Sequence, residues 1–283
     1  MHGLKTVLKA GAWVCLAALI AAPSAASAQT SDLVSKTSFR VCSDPANLPF
    51  SHKDESGFEN KIATLIAEKL ELPLQYTWFP QATGFIRRTL QENRCDVVIG
   101  YAQGHELVLN TNHYYVSTHV LVVPEDGPLA EVEALSDPAF KDKRLGVVAG
   151  APVSTHAARK GLIGKAKPYN LIVDRRIESP AEDMIDDVRS GETDGALLWG
   201  PIGSYFANRG EPKLKVIPLF KEEGPPRLFF RITMGVRQGE LVWKRKLNSL
   251  IRRNQTEINA ILRDYGVPLV TEFGDAIVPV EAD

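Results

Sequence analysis

At 283 residues the chain exceeds one average domain and predicts either one large lobe or two smaller ones. Its composition is that of an ordinary globular protein, 44% hydrophobic and 24% charged, and 33 Lys and Arg against 34 Asp and Glu leave a formal charge of −1. That balance excludes the overall basic footprint of a nucleic-acid binder. The runs Arg175-Arg176, Lys244-Arg245-Lys246 and Arg252-Arg253 read as solvated helix faces.

Residues 1–28 predict a secretory signal peptide. Lys5 and Lys9 form a positive start, Ala10 to Ala22 is apolar, and Ala26-Ser27-Ala28 is a small-residue cleavage site. The apolar run is short for a membrane span, and Pro23 with the Ser/Ala-rich tail fits cleavage, so no membrane attachment is expected after processing. A periplasmic location follows. Cys15 leaves with the signal, and the exported chain keeps Cys42 and Cys95. In an oxidising compartment an even number suggests one disulfide; the alternative is two buried thiols on neighbouring strands.

Phe39 to Cys42 alternates like a buried strand, and Ser43 to Phe50 is a loop whose two prolines forbid helix. A helix follows Gly57, with Phe58, Ile62, Leu65, Ile66 and Leu70 on one face. Leu72 to Pro80 predicts a second strand, Gly84 to Asn93 a second helix, and Cys95 to Gly100 an apolar strand suited to the inside of a parallel sheet. Tyr114 to Val123 predicts a strand that crosses to a second lobe, entered at the break Pro124 to Pro128. There, strands at 144–148, 170–173 and 194–199 alternate with helices at 154–160 and 181–190 and a short helix after Pro201. Leu214 to Leu219 and Phe229 to Val236 predict strands, the second returning to the first lobe. Glu240 to Tyr265 is helical, and Asn254-Gln255-Thr256-Glu257 fits a capping box that should split it in two.

This pattern predicts an α/β protein with two lobes, each a doubly wound sheet, joined by two crossover strands over a hinged cleft. The expected division is lobe one at 39–120 with 232–270, lobe two at 125–228, and a tail at 271–283. In such sheets ligands dock at the carboxyl ends of strands, which puts the loop Asp44 to Phe50 at the mouth of the cleft.

Enzymatic signatures are missing from the sequence: it has no Ser-His-Asp order, nucleophile elbow or P-loop. Gly150 to Thr155 could hold an anion at a helix start, although a plain helix cap explains it. His113 and His119 lack a third metal ligand, and Asp183, Asp186 and Asp187 lack calcium-loop spacing. No cofactor, metal or catalytic residue is expected.

Several stretches together resemble the type II periplasmic solute-binding proteins, and more narrowly the MxaJ/XoxJ group associated with PQQ-dependent methanol or alcohol dehydrogenases. They are Val41 to Phe50, Gly57 to Ala63, Tyr76 to Gln81, Arg94 to Gly100, Met234 to Arg237, and Asn254-Gln255 with Tyr265 to Pro268. The resemblance implies a non-enzymatic binding protein that assists maturation or activation of such a dehydrogenase. That dehydrogenase is the implied partner, with its cytochrome as a secondary candidate. The alternative is a solute receptor of an importer for a small ligand other than an amino acid.

Amino-acid receptors of this type carry an arginine after the third strand and an acid after the lobe-two strand. This chain has Gly100-Tyr101-Ala102-Gln103 and Trp199-Gly200-Pro201 at those places. A buried zwitterion would be left unpaired, at a cost of several kcal/mol. The resemblance therefore places Asp44, Asn47, Leu48, Pro49, Phe50, Glu59, Trp78, Phe79, Gln81, Tyr101 and Trp199 around a cleft that presents aromatic rings instead of ionic partners; the alternative, above all for Phe50 and Phe79, is that the rings fill the lobe core.

Overall fold

The computed structural model describes residues 33–104 and 106–279. The expected signal peptide lies outside them, and so does Cys15. No helix among the described residues is long and apolar enough to cross a membrane.

Strand β1 (Phe39–Ser43) leads into a loop that folds on itself through β2 (Ala46–Asn47) and β3 (Ser51–His52), an antiparallel pair. Gly57 then starts α1 (Phe58–Leu70) pressed against this loop, where a Cβ would lie 2.2 Å from the Phe50 carbonyl oxygen. Asn60 Oδ1 accepts from the backbone of Gly57 and His52 and fixes the loop to the helix. Strand β4 (Leu74–Trp78) returns parallel to β1, with Ser43 opposite Trp78.

The second helix, α2 (Phe85–Arg88), is one turn rather than the predicted three. The chain leaves helical dihedrals at Thr89 (φ −127°, ψ −80°), which brings Leu90 fully inside. Strand β5 (Val98–Ala102) follows, and Val97 just before it forms a parallel bridge with Val41 of β1. The bridged alternative holds for the cysteines: Cys42 and Cys95 form a disulfide with their Cα atoms 5.5 Å apart.

Strand β6 (Leu109–Pro124) is the spine of the molecule. Its first part, to Thr118, pairs with β11, and from His119 onward it pairs with β9 and β10. Lobe two contains β7 (Leu145–Val148), α3 (Pro152–Arg159), β8 (Lys167–Tyr169), α4 (Pro180–Ser190), β9 (Gly195–Trp199), α5 (Gly200–Ala207) and β10 (Leu214–Pro218). Strands β8 and β9 flank β7 in parallel. Strand β11 (Phe229–Val236) returns to lobe one between β5 and β6, and α6 (Leu241–Arg253) and α7 (Gln255–Asp264) cover that sheet.

Two further sequence expectations shift. The strand predicted at 170–173 lies earlier, at β8. Its partner β7 ends at Val148, and Gly150 (φ +82°) turns that chain away, so no ladder continues beyond Tyr169. The helix break at Asn254 occurs as predicted, but not by a capping box. The Asn254 amide instead donates to the Leu250 carbonyl (2.7 Å) and closes the end of α6.

Beyond His119 the two faces of β6 divide the lobe-two core. Val120 and Val122 pack with Met184, Ile185 and Val188 of α4, while Leu121 and Val123 pack with Leu145, Val147 and Val153 on the other face. In lobe one, α1, α6 and α7 bury Phe58, Ile62, Leu247, Leu250 and Ile258 against the sheet. Asp96 lies among them almost wholly buried. It accepts from Arg40 (Nε 2.8 Å, Nη2 2.7 Å) and Arg237 (Nη2 2.7 Å), which satisfy the buried charge. Residues 269–278 turn back over lobe one: Val278 N–H donates to Leu269, and Arg231 Nη2 to the Glu272 carbonyl.

Candidate functional site

Asp44 follows β1 at its carboxyl end, where a short polar side chain can hold a turn. Its Oδ1 accepts from Ala46 N–H (2.8 Å) and its Oδ2 from Gln81 N–H (2.6 Å). Asn47 donates to Gln81 Oε1 (3.0 Å). Asp44, Asn47 and Gln81 thus stitch the loop after β1 to the loop after β4. Beside them Asn47, Leu48 and His52 form one wall of a cavity of ≈ 490 Å³ between the lobes.

The opposite wall comes from α4, α5 and the loop before α4, through Arg175, Glu178, Tyr205 and Arg209. Arg175 Nη1 reaches to 3.9 Å from Asp44 Oδ2. Farther along, the Arg209 guanidinium carbon sits 3.4 Å from the centre of the Tyr205 ring. Tyr205 stacks on Tyr265 of lobe one, with centroids 6.0 Å apart and planes 9° apart. Tyr265 Oη donates to the Ser56 carbonyl (2.5 Å).

These residues correct the expectation of a cleft without ionic contacts. An arginine and an acid do meet across it, though both belong to the protein. Nothing in the local sequence marks Arg175 or Arg209; each is brought to the cleft by long-range packing.

Glu59 lies beneath this loop in the first turn of α1, 8% exposed. Its carboxyl abuts Gly100 of β5, where a Cβ would lie 1.8 Å from Oε1. Burial, with the charge of Asp44 nearby, pushes the Glu59 carboxyl up to about 8, so it is neutral at pH 7.

The aromatic candidates are spread out. Phe50 turns inward, edge-on to Phe58 with centroids 5.2 Å apart. Trp78 is half-buried at the end of β4, stacked on Tyr76 at 4.4 Å. Tyr101 lines a separate cavity of ≈ 350 Å³ with Gln81 and Leu107. Trp199 sits where β6 passes between lobes, edge-on to His119 (5.2 Å) and Phe230 (5.6 Å).

The loop before α4 also exposes apolar surface. Leu171, Ile172 and Ile177, at 53%, 77% and 80% exposure, flank the Arg175 that faces Asp44. Gly150 to Thr155 is a helix start in which the Ser154 hydroxyl donates to Val148 O (2.6 Å).

Comparison with known proteins agrees with this architecture. The crystal structure of the periplasmic binding protein XoxJ from Methylobacterium extorquens AM1 is 40% identical, with a TM-score of 0.71 over 83% of this chain and 100% of that one. Protein MoxJ of Methylorubrum extorquens is 29% identical over 90% of this chain and 92% of its own length. An ancestral cationic amino acid solute-binding protein, 21% identical with a TM-score of 0.63 over 81% of this chain and 95% of that one, shares the fold. Residues 39–267 match the family described as Bacterial extracellular solute-binding proteins, family 3. The chain is a binding protein rather than an enzyme, with the two-lobed type II periplasmic-binding-protein fold, and it belongs to the bacterial extracellular solute-binding proteins, family 3.

Proposed function

We propose that this chain is exported to the periplasm and grips a segment of a PQQ-dependent methanol or alcohol dehydrogenase, assisting that enzyme's maturation or activation. The similarity to XoxJ and MoxJ supports the choice of partner. The observation that carries the mode of binding is the exposure of Leu171, Ile172 and Ile177 in the loop whose Arg175 and Glu178 line the cleft. Exposed aliphatic side chains grouped beside a cleft fit an apolar segment of another protein better than a free solute. Lobe one is taken as 39–120 with 232–270 and lobe two as 125–228. The contact set combines Asp44, Asn47, Leu48, Trp78 and Gln81 of lobe one with that loop, while Glu59 lies buried beneath them.

The test is pull-down of the purified dehydrogenase by the signal-free protein. Capture lost on Leu171→Ser/Ile172→Ser supports the reading. Equal capture by both proteins, or none by either, overturns it.

One observation favours a second reading. The interlobe cavity of ≈ 490 Å³ is of small-molecule size, and Arg209 on its wall, held over the Tyr205 ring and paired with no acid among the described residues, suits an anionic group of a small solute that is not an amino acid. A thermal-shift screen separates the two, because a ligand at a hundred times its Kd adds about 2.7 kcal/mol of stability. A solute that raises the melting temperature, with no capture of dehydrogenase, selects the importer receptor.

A further inference from the structure

The outer face of α6 is a second candidate surface, on the far side of the lobe-one sheet's helical cover. Trp243, Leu247, Leu250 and Ile251 are buried. The remaining face carries Lys244, Arg245, Lys246, Arg252 and Arg253, and the helix contains no acid. Among the described residues none of these five cations pairs with an acid. The flanking acids are used elsewhere, Glu240 by Arg237 (3.6 Å) and Glu257 by Lys69 (3.4 Å).

The face is solvated as the sequence predicts, with Arg245, Lys246, Arg252 and Arg253 exposed, but in a chain whose formal charge is −1 five cations on one helix without an acid partner among the described residues concentrate positive charge there. Arg252 and Arg253 complement the helix dipole at its carboxyl end. Lys244, Arg245 and Lys246 are the fourth to sixth residues of the helix, away from its carboxyl end, so the dipole does not explain them.

Two further features adjoin the strip. Leu241 and Val242, at the start of the helix, are 52% and 78% exposed. Along its side runs a groove of ≈ 940 Å³, lined by Lys244, Asn248, Arg252 and Gln255 of the helices and by Asn110 and Asn112 of β6. Asn112 N–H donates to Asn248 Oδ1 (2.7 Å) across its floor, and Glu106 is the one acid on its described rim.

We propose that α6 and this groove form a docking surface for an acidic protein segment that also carries aliphatic side chains. Charge complementarity selects acid, the amide-lined groove suits an extended chain, and Leu241 with Val242 supplies an apolar end. A membrane is the poorer fit, since the helix has already spent its apolar face on the lobe-one core and has only two aliphatics left to insert. The proposal is separate from the cleft and does not rest on the dehydrogenase reading.

The test uses a fluorescein-labelled peptide of Asp, Glu and Leu as long as the helix, followed by anisotropy against the purified protein. Binding should weaken as salt rises. Arg245→Glu/Lys246→Glu/Arg252→Glu should weaken it at least about tenfold. Lys141→Glu/Lys160→Glu/Lys213→Glu, the same change of charge at exposed lobe-two positions, should leave it nearly unchanged. Leu241→Ser/Val242→Ser should weaken the Leu-containing peptide more than one of Asp and Glu alone. Absence of binding at low salt, equal loss in both triple variants, or no effect of the double variant overturns the proposal. Tighter binding to phosphatidylglycerol vesicles than to the peptide also overturns it.

Discussion

Arg175 of lobe two stands over Asp44 of lobe one, with Nη1 3.9 Å from an Oδ2 that already accepts a 2.6 Å hydrogen bond from Gln81 N–H. Asp44 is therefore fixed within lobe one independently of Arg175. In this geometry the pair acts as a light clasp between the lobes.

Arg175 is well exposed, so the clasp is worth no more than about 1 kcal/mol and is weakened by salt. Arg175→Ala should raise the radius of gyration measured by small-angle scattering, with little change in melting temperature. High salt should do the same to the unaltered protein. If neither changes the scattering curve, the pair does not hold the lobes together.

Glu59 makes stability depend on pH in a direction unusual for a carboxylate. Unfolded, it ionises near its ordinary value of 4.5; folded, burial and the Asp44 charge raise it to about 8. Below pH 4.5 both states hold the proton and there is no penalty. As pH rises from there through 8, only the unfolded state gives the proton up freely, so stability falls by on the order of a few kcal/mol. Glu59→Gln keeps the shape and removes the titration. The difference in unfolding free energy between wild type and Glu59→Gln should grow across that window. A difference that stays constant from pH 5 to pH 8 would falsify the buried neutral carboxyl.

The disulfide ties the first strand to the edge of β5 across 53 residues of sequence. Closing a loop of that length restricts the unfolded chain, and loss of a native bridge typically costs about 2–5 kcal/mol. Cys42→Ser/Cys95→Ser should therefore unfold at lower urea concentration than the parent. Reductant should destabilise the parent and leave the double variant unaffected. A parent that is insensitive to reductant would contradict this.

The sequence makes the strand and helix order legible because each element carries its own period. Phe58, Ile62 and Ile66 mark the buried side of α1, and the apolar run after Tyr114 is visible as a strand. The hinge can be inferred because such a strand lacks a following helix of the usual kind. The 170–173 strand misleads because Leu171, Ile172 and Val173 have strand composition. Whether they join a sheet depends on where β7 ends, and the length of β7 is not encoded locally. The site divides in the same way. Asp44, Asn47 and Gln81 sit at strand ends and are readable as loop residues of a cleft. Arg175, Tyr205 and Arg209 reach that cleft only through the packing of lobe two, with no local pattern to mark them.

The two tryptophans at strand ends look alike in sequence, but the structure separates them. Trp78 is half-buried at the end of β4 and stacks on one ring, that of Tyr76, a contact worth about 0.5–1.5 kcal/mol. Trp199 pairs through its backbone with His119, at the residue where β6 changes partners from β11 to β9. Its ring packs on His119 and Phe230. Burial pushes the His119 imidazole down to about 4, so it is neutral at pH 7, and its Nδ1–H donates to the Leu228 carbonyl at 2.8 Å. Removing the Trp199 ring leaves a void at the crossing of the lobes, so Trp199→Ala should cost about 2–3 kcal/mol, short of the value for a fully buried tryptophan. Trp78→Ala should leave the melting temperature within a few degrees of the parent and weaken capture of the dehydrogenase. Both variants are to be measured for melting temperature and for capture. If Trp199→Ala instead keeps full stability and alone abolishes capture, Trp199 belongs to the binding surface and Trp78 does not.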